Sequence, residues 1–518
     1  MQNSPFTSVK NMLFGQALLL LSLNYGCDGS SVEIDPSRIV AENARPGTTE
    51  WQLTRVPTEA CSLIVLPDQP WIERTYYHTR EIEGYCSHTS IAAGDTLGIY
   101  ISTDPASKFT LDVFRMGYYG GTGGRLMTKL GPFEGNVQAV PSDGEKNLRS
   151  CAWEESLQLP IPNDWLSGVY LGKLTAAEGG WQSYIIFIVR DNRPADFLFQ
   201  CSDLTWQAYN RWPEWRSLYD WTADWGPTPW YTGVGPEVSF DRPYTFYMNS
   251  LPVLPQAQAN GAGEFLLWEF PLVFWMEQQG YDVSYISNLD THKDREGVLR
   301  TKAFLSVGHD EYWTKEMFDN VIHARDQGVN LLFLSGNSVS GKIYLKPSPV
   351  GQPDRVFGRV SFFEEEAELM GAKSYGVGLA PWTCTLPDHW IYAGTDMQKG
   401  DTIPDLIGWE YHGYPLGEIP GLQVLAEGPL AGADSIRRYA ATYYETPQGN
   451  FVFNAATCWW SMALATPPGF PYPINPKKLF TDRSIDFRQN DERVQRMTTN
   501  LFERATGRMA SGANDDQK

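Results

Sequence analysis

The chain of 518 residues lacks the short signatures that mark most hydrolases. It contains no H-E-x-x-H pair and no C-x-x-C, which argues against a helix-borne zinc protease site and a zinc deaminase. No G-x-S-x-G occurs either, so a serine nucleophile elbow is excluded. Histidine is scarce, at seven residues, and the six besides His309 (His78, His88, His292, His323, His389 and His412) fall at no ligand spacing. A zinc centre built from several histidines therefore has little support. No cluster of Lys and Arg is present, and a net charge of -20 repels a phosphate backbone, so nucleic acid is not an expected partner. After the N-terminus no apolar run is long enough for a membrane helix. The GGTGG run at Gly120–Gly124 lacks the Lys-Ser/Thr of a phosphate loop and predicts a hairpin turn.

What is present describes a globular protein, 42% hydrophobic and 20% charged, too long for one ordinary core. Two or three folding units are expected. The first residues read as a leader: Lys10, then a mostly apolar run from Met12 to Leu23, then NYGC ending at Cys27. That run is too short to span a bilayer and suits a signal peptide. It predicts export to a bacterial periplasm or cell envelope, either by cleavage or with a lipid anchor at Cys27. The seven cysteines fit this, because setting Cys27 aside leaves Cys61, Cys86, Cys151, Cys201, Cys384 and Cys458, an even set for an oxidising compartment. Cys61 and Cys86 flank a short loop.

Residues 28–47 are polar and aperiodic and read as a linker after the 1–27 leader. From residue 48 to 192, short strand-like runs broken by turn residues predict a β-sandwich. From 193 to 506 the pattern alternates strand and helix, predicting an α/β domain with a parallel sheet, followed by a 507–518 tail. EFLLWEFPLVFWMEQQG reads as a buried helix stopping at Gly280, and Thr314–Gln327 as an amphipathic helix carrying Phe318, Val321 and Ile322 on one face.

Within that domain FLSVGHDEYW, Phe304–Trp313, ends a core strand with three ionisable residues, each costly to bury alone. The next strand, NLLFLSGN, ends in Ser335, Gly336 and Asn337. Ligands of such sheets collect at the carboxyl ends of the strands, so the two clusters form a candidate site. The competing reading makes Asp310 a helix cap and pairs His309 and Glu311 with arginines. A second dense stretch, Ser202–Trp225, holds five tryptophans, among them Trp206, Trp212 and Trp215, with Tyr209 and Tyr219. These aromatics read either as core or as a stacking surface for a small substrate. A non-catalytic, secreted glycan-binding protein is the alternative that follows from the second use.

TWQAYNRW, RSLYDW, VSFDRPY, GYDVSY, FLSVGHDEYW and NLLFLSGNSV, in this order, resemble the large (beta) subunit family of N,N-dimethylformamidase. The resemblance runs from about Ala44 to Leu464. It implies an Ig-like sandwich followed by a glutamine-amidotransferase-like α/β domain, and a mononuclear iron amidohydrolase cleaving a carbon-nitrogen bond. By its motifs the iron ligands are Tyr209, Tyr219 and Glu311, with Tyr244 as the substitute for Tyr219. His309 and Asn337 match other polar site residues and are the candidate catalytic groups, His309 as general base and acid and Asn337 as a donor to the developing oxyanion or else a helix cap after its strand, and Glu445 and Lys342 are nearby candidates for a further glutamate and lysine. Two phenolates and a carboxylate are hard donors that suit ferric iron. The implied partner is a small amide, with an ester or glycan-linked acyl group as another target, and a homo-oligomer is open. The dimethylformamide enzyme is a cytoplasmic assembly with a small subunit, whereas the leader here points to export.

Overall fold

The structure, a computed structural model, describes residues 37–56, 62–66, 69–77, 80–213, 216–219, 235–248, 259–430, 437–469 and 490–508. Among the described residues, five sheets and a few short helices make a mixed, strand-rich fold. The leader, Cys27, Cys61 and Trp215 lie outside the described residues. No described helix is long and apolar enough to cross a membrane.

Alternation of side chains along strands decides the layering. In Gln182–Arg190, Ile185, Phe187 and Val189 face one way, toward Ile99, Ile101 and Leu159 of a three-stranded sheet. Tyr184, Ile186 and Ile188 face the other way, into a second core with Phe197, Phe199 and Leu305. A period of two thus buries both faces of the five-stranded sheet to which this strand belongs. The first face packs against the three-stranded sheet. The second fuses it to the following segment through one continuous core. The glycine-rich run makes the expected turn between the antiparallel strands Phe109–Met116 and Gly124–Phe133, with Gly120, Gly121 and Gly123 at positive φ.

The large sheet is only half as anticipated. Five strands pair in parallel, in the order Val283–Ser287, Ala195–Cys201, Thr301–His309, Asn330–Gly336 and Phe451–Asn454. Arg438–Glu445, Thr402–Leu416 and Ala372–Thr383 then continue it antiparallel. Alternation again fills both faces: Leu305 and Val307 point to the core shared with the sandwich, Phe304 to a core under the helix Lys315–Asp326. The expected helix through Phe265–Gln278 is two helices, Phe265–Trp268 and Phe270–Gln278. Pro271 cannot donate to the preceding turn and starts the second one. Gly280, at φ +73, follows its end as anticipated.

Two local expectations differ. The stretch read as linker contains a helix, Ser37–Asn43, docked because Ile39 is buried and Glu42 accepts from Arg125 at 2.7 Å. The five described cysteines, Cys86, Cys151, Cys201, Cys384 and Cys458, are buried free thiols, so a disulfide set is not formed among them.

The helix Asp203–Tyr209 begins with a carboxyl that is wholly buried, its Oδ1 accepting from the Asn288 backbone at 2.7 Å. Burial raises the Asp203 carboxyl to about 7. The unfolded chain ionises this group first, so its contribution to stability is lost as pH rises from about 4 to 7. Asp203→Asn should flatten the pH dependence of the unfolding midpoint across that window relative to wild type. Denaturant melts at a series of pH values read this directly, and parallel curves for the two proteins would refute it.

Candidate active site

The chain changes sheets at the HDE triplet. His309 is the last residue of its strand and lies in register with Gly336 of the parallel neighbour. Tyr312–Thr314 then joins a different, four-stranded sheet. Asp310 anchors the crossing: its carboxylate accepts from Gln200 at 2.7 Å, Ser306 at 2.9 Å and Asn288 at 3.0 Å. It is not a helix cap, because that position belongs to Thr314, whose Oγ1 accepts from the Met317 backbone. Gly308, at φ +68, bends the strand end, and a Cβ there would lie 2.5 Å from Cβ of Trp268. Only glycine tolerates both demands.

Glu311, freed from both ladders, meets the two tyrosines. Tyr209 Oη donates to Glu311 Oε2 at 2.7 Å, and Tyr219 Oη lies 2.9 Å from Tyr209 Oη and 3.1 Å from Glu311 Oε1. All three residues are buried. Tyr312 completes the phenol cluster through a hydrogen bond with Tyr219, and Arg359 donates to Tyr312 with its guanidinium 5.0 Å over the Tyr219 ring. Tyr244 has no described bond to Glu311, so Tyr219 is the second tyrosine of this cluster.

On the other side of Glu311 lies His309. Its Nε2 is 3.5 Å from Glu311 Oε2 and 2.5 Å from Glu410 Oε2, and its Nδ1 is 3.9 Å from Glu264. Asn337 Nδ2 donates to Glu410 at 3.0 Å. Burial alone would depress the imidazole, but the Glu410 carboxylate outweighs it and holds His309 well above the usual range. His309 therefore pairs with carboxylates, not with the arginine expected from the helix-cap reading.

His309, Glu311 and Glu410 form a buried group able to hold a metal ion, their donor atoms all within 4.8 Å of one another. A second donor set shares Glu311: the two phenols and the carboxylate. Ligand oxygens around a small cation at 2.0–2.2 Å stand about 2.8–3.6 Å apart in octahedral or tetrahedral shells. The triangle of Tyr209 Oη, Tyr219 Oη and Glu311 Oε2, with edges of 2.7, 2.9 and 3.2 Å, lies at the short end of that spacing. His309 and Glu410 form a buried ion pair on the other side of Glu311, with Nε2 and Oε2 2.5 Å apart.

Residues 110–473, well over half of the chain, match the family model described as N,N-dimethylformamidase beta subunit-like, C-terminal. The chain belongs to this family. No curated protein matches it. Membership in the dimethylformamidase-like family makes a hydrolase of the amide class the coarse reading of the site.

Several sequence-derived candidates lie elsewhere. Glu445 is exposed on a strand end beside Arg504, and Lys342 holds its ammonium over the Phe363 ring. Trp206 is buried and donates to Glu269 at 2.8 Å. Trp212 is buried against Trp153 and donates to Glu83 at 2.7 Å. Neither tryptophan is an open stacking platform, which removes their support for glycan binding. The residue missed was Glu410. It sits in Thr402–Leu416 beside a register shift and after Trp409 at φ +61, a bulge that turns the carboxylate inward. The signal was LIGWEYHGY, an apolar strand carrying Glu410 and His412 on one alternating face. His412 is buried too, its Nε2 accepting from the Ser338 backbone at 2.9 Å while Nδ1 meets Asn454 at 2.7 Å. That steadies the turn bearing Asn337, itself at φ +52. No helix follows this turn; the next element is the strand Gly341–Lys346, so Asn337 is not a helix cap.

Proposed function

We propose that the protein is an iron-dependent hydrolase of a carbon-nitrogen amide bond, with Tyr209, Tyr219 and Glu311 as the ligands. The observation that carries this reading is the convergence of two phenol oxygens and a carboxylate at coordination spacing beside a His–Glu pair. Ferric iron suits these hard, anionic oxygens, and when bound it supplies Lewis acidity to the amide oxygen and to a water. Without a cation, burial and the Glu311 charge keep both phenols protonated as donors to that carboxylate. Tyr209 and Tyr219 would hold the ion as phenolates, giving up those two protons.

The chain's own residues do the rest. Glu311 is held by its backbone N–H, which donates to Thr205 Oγ1 at 2.9 Å. The His309–Glu410 pair moves the proton: the Glu410 carboxylate takes the proton of the attacking water, His309, held protonated beside it, gives its own to the leaving amine, and transfer between the two restores the pair. Asn337 orients Glu410 through its hydrogen bond, a role distinct from that of a donor to the developing oxyanion. The enclosed site favours a small amide such as a formamide over a glycan. The fold of this reading is an Ig-like sandwich ahead of a glutamine-amidotransferase-like domain.

The leader sequence supports export to the periplasm or envelope, with Cys27 as the lipid-bearing residue, and the assembled form is taken as a homo-oligomer. Elemental mass spectrometry on protein purified without chelator, with a visible spectrum, tests the centre. Near-stoichiometric iron with a phenolate-to-iron charge-transfer band is expected, and a screen of amides beside esters then fixes the bond. A colourless protein that cannot be reconstituted with iron would overturn the reading.

A further inference from the structure

Arg242, from the SFDRPY stretch, is wholly buried and has no carboxylate among its hydrogen-bond acceptors. A guanidinium carries five N–H donors in a rigid fork, and here all five are used. Nε donates to Gln207 Oε1 at 2.8 Å. Nη1 donates to the carbonyls of Trp212 at 2.9 Å and Arg216 at 2.5 Å. Nη2 donates to the carbonyls of Gln207 at 3.2 Å and Asn210 at 3.0 Å. Every acceptor lies between residues 207 and 216. That is the segment joining Tyr209, at the end of its short helix, to Tyr219.

Two of these carbonyls, those of Gln207 and Asn210, close the C-terminal end of the helix Asp203–Tyr209, where a cation is favoured by the exposed carbonyl dipoles. Burial lowers the guanidinium to about 9, so it remains charged at neutral pH. Neighbouring bonds lock the same segment to the SFDRPY stretch. Asn210 Nδ2 donates to the Pro243 carbonyl at 2.8 Å, and the Thr245 backbone donates to Asn210 Oδ1 at 3.0 Å. Leu218, next to Tyr219, returns to the Ala208 carbonyl at 3.0 Å. A seven-residue helix would not by itself hold the Tyr209 and Tyr219 oxygens 2.9 Å apart.

The geometry points to Arg242 as the positioning residue that sets the spacing of the Tyr209 and Tyr219 phenols, and so the metal affinity of the pair. This rests on the phenol–carboxylate iron site proposed above. Arg242 touches neither the metal position nor substrate; it acts through the loop.

Arg242→Lys tests it, because lysine keeps the charge but has three donors for five acceptors. Iron affinity, read by chelator competition, should fall about 10–100-fold, as for other groups that orient ligands. The charge-transfer band should shift and broaden, which a merely structural loss of stability would not cause. In metal-free protein, amide exchange across 203–219 should quicken. Wild-type affinity, band and exchange in Arg242→Lys would overturn the proposal. Should that variant not fold, Gln207→Leu removes the Oε1 that accepts from Arg242 Nε and from Asn210 Nδ2, leaving the four carbonyl bonds of Arg242 in place; a smaller loss of affinity with a shifted band is expected, and an unchanged metal site overturns it. If wild type itself binds no iron, the iron reading fails, and the exchange comparison still decides whether Arg242 orders the loop.

Discussion

Under the proposed iron site, Glu311→Ala should lose iron and activity together while the protein stays folded. Glu311 is the one residue common to both donor sets, and each phenol of the triangle leans on it. Removing the carboxylate takes away the third oxygen and the negative charge that balances a cation. The several kcal/mol of charge stabilisation that a metal contributes then disappear, so turnover should fall about a thousandfold or more. Folding is spared because the cost is of the order of one or two unmet hydrogen bonds, about 1–3 kcal/mol each, in a large core. The check is iron content, the visible band and amide hydrolysis measured on the same preparation, beside a denaturant melt. Retained iron with lost activity would move Glu311 from ligand to proton-transfer group. Retained activity would remove the site altogether.

Glu277→Ala should cause the largest loss of stability, about 3–5 kcal/mol, the usual effect of stranding one half of a buried ion pair. Glu277 ends the helix Phe270–Gln278 and takes both ends of the Arg115 guanidinium, at 2.8 and 2.9 Å, with both side chains fully buried. Asn43 donates to the same carboxylate at 2.8 Å and Tyr285 at 3.0 Å. Four separate pieces of chain meet on this one group: the first helix, a sandwich strand, a central helix and the first strand of the large sheet. With Glu277 gone, Arg115 keeps hydrogen bonds to Tyr119 and the Ser167 and Met116 carbonyls, and loses the carboxylate in direct contact with it, with Glu42 one phenol away. Pairing Glu277→Leu with Arg115→Met should recover much of the loss, because no charge is then left buried. Denaturant melts of the single and double variants measure this. A single variant within about 1 kcal/mol of wild type would show the pair to be dispensable.

The site was legible in part because its densest residues are close in sequence. A strand ending in His309, Asp310 and Glu311, with Asn337 at the end of the next, follows from the general placement of ligands in parallel sheets. Adjacency of those two ends is what the register shows. Glu410 comes from an antiparallel strand about a hundred positions on, brought in by a bulge, and sequence distance hides such a partner. The tryptophans misled for a related reason. A polar neighbour beside an indole reads as a ligand surface, yet Glu83 and Glu269 accept from the buried indole N–H groups of Trp212 and Trp206.

By itself the sequence determined the periodicities, and with them which segments are strands and which side chains must be buried together. It also determined the chemical type of the site, because hard oxygen donors and a histidine are a matter of composition. The tertiary structure alone decided which carboxylate faces His309, that Asp310 is an anchor and not a helix cap, and that Arg242 holds the tyrosine loop. The reason is physical: hydrogen-bond partners and charge neighbours are set by packing across layers, where residues remote in the chain compete for the same few ångströms.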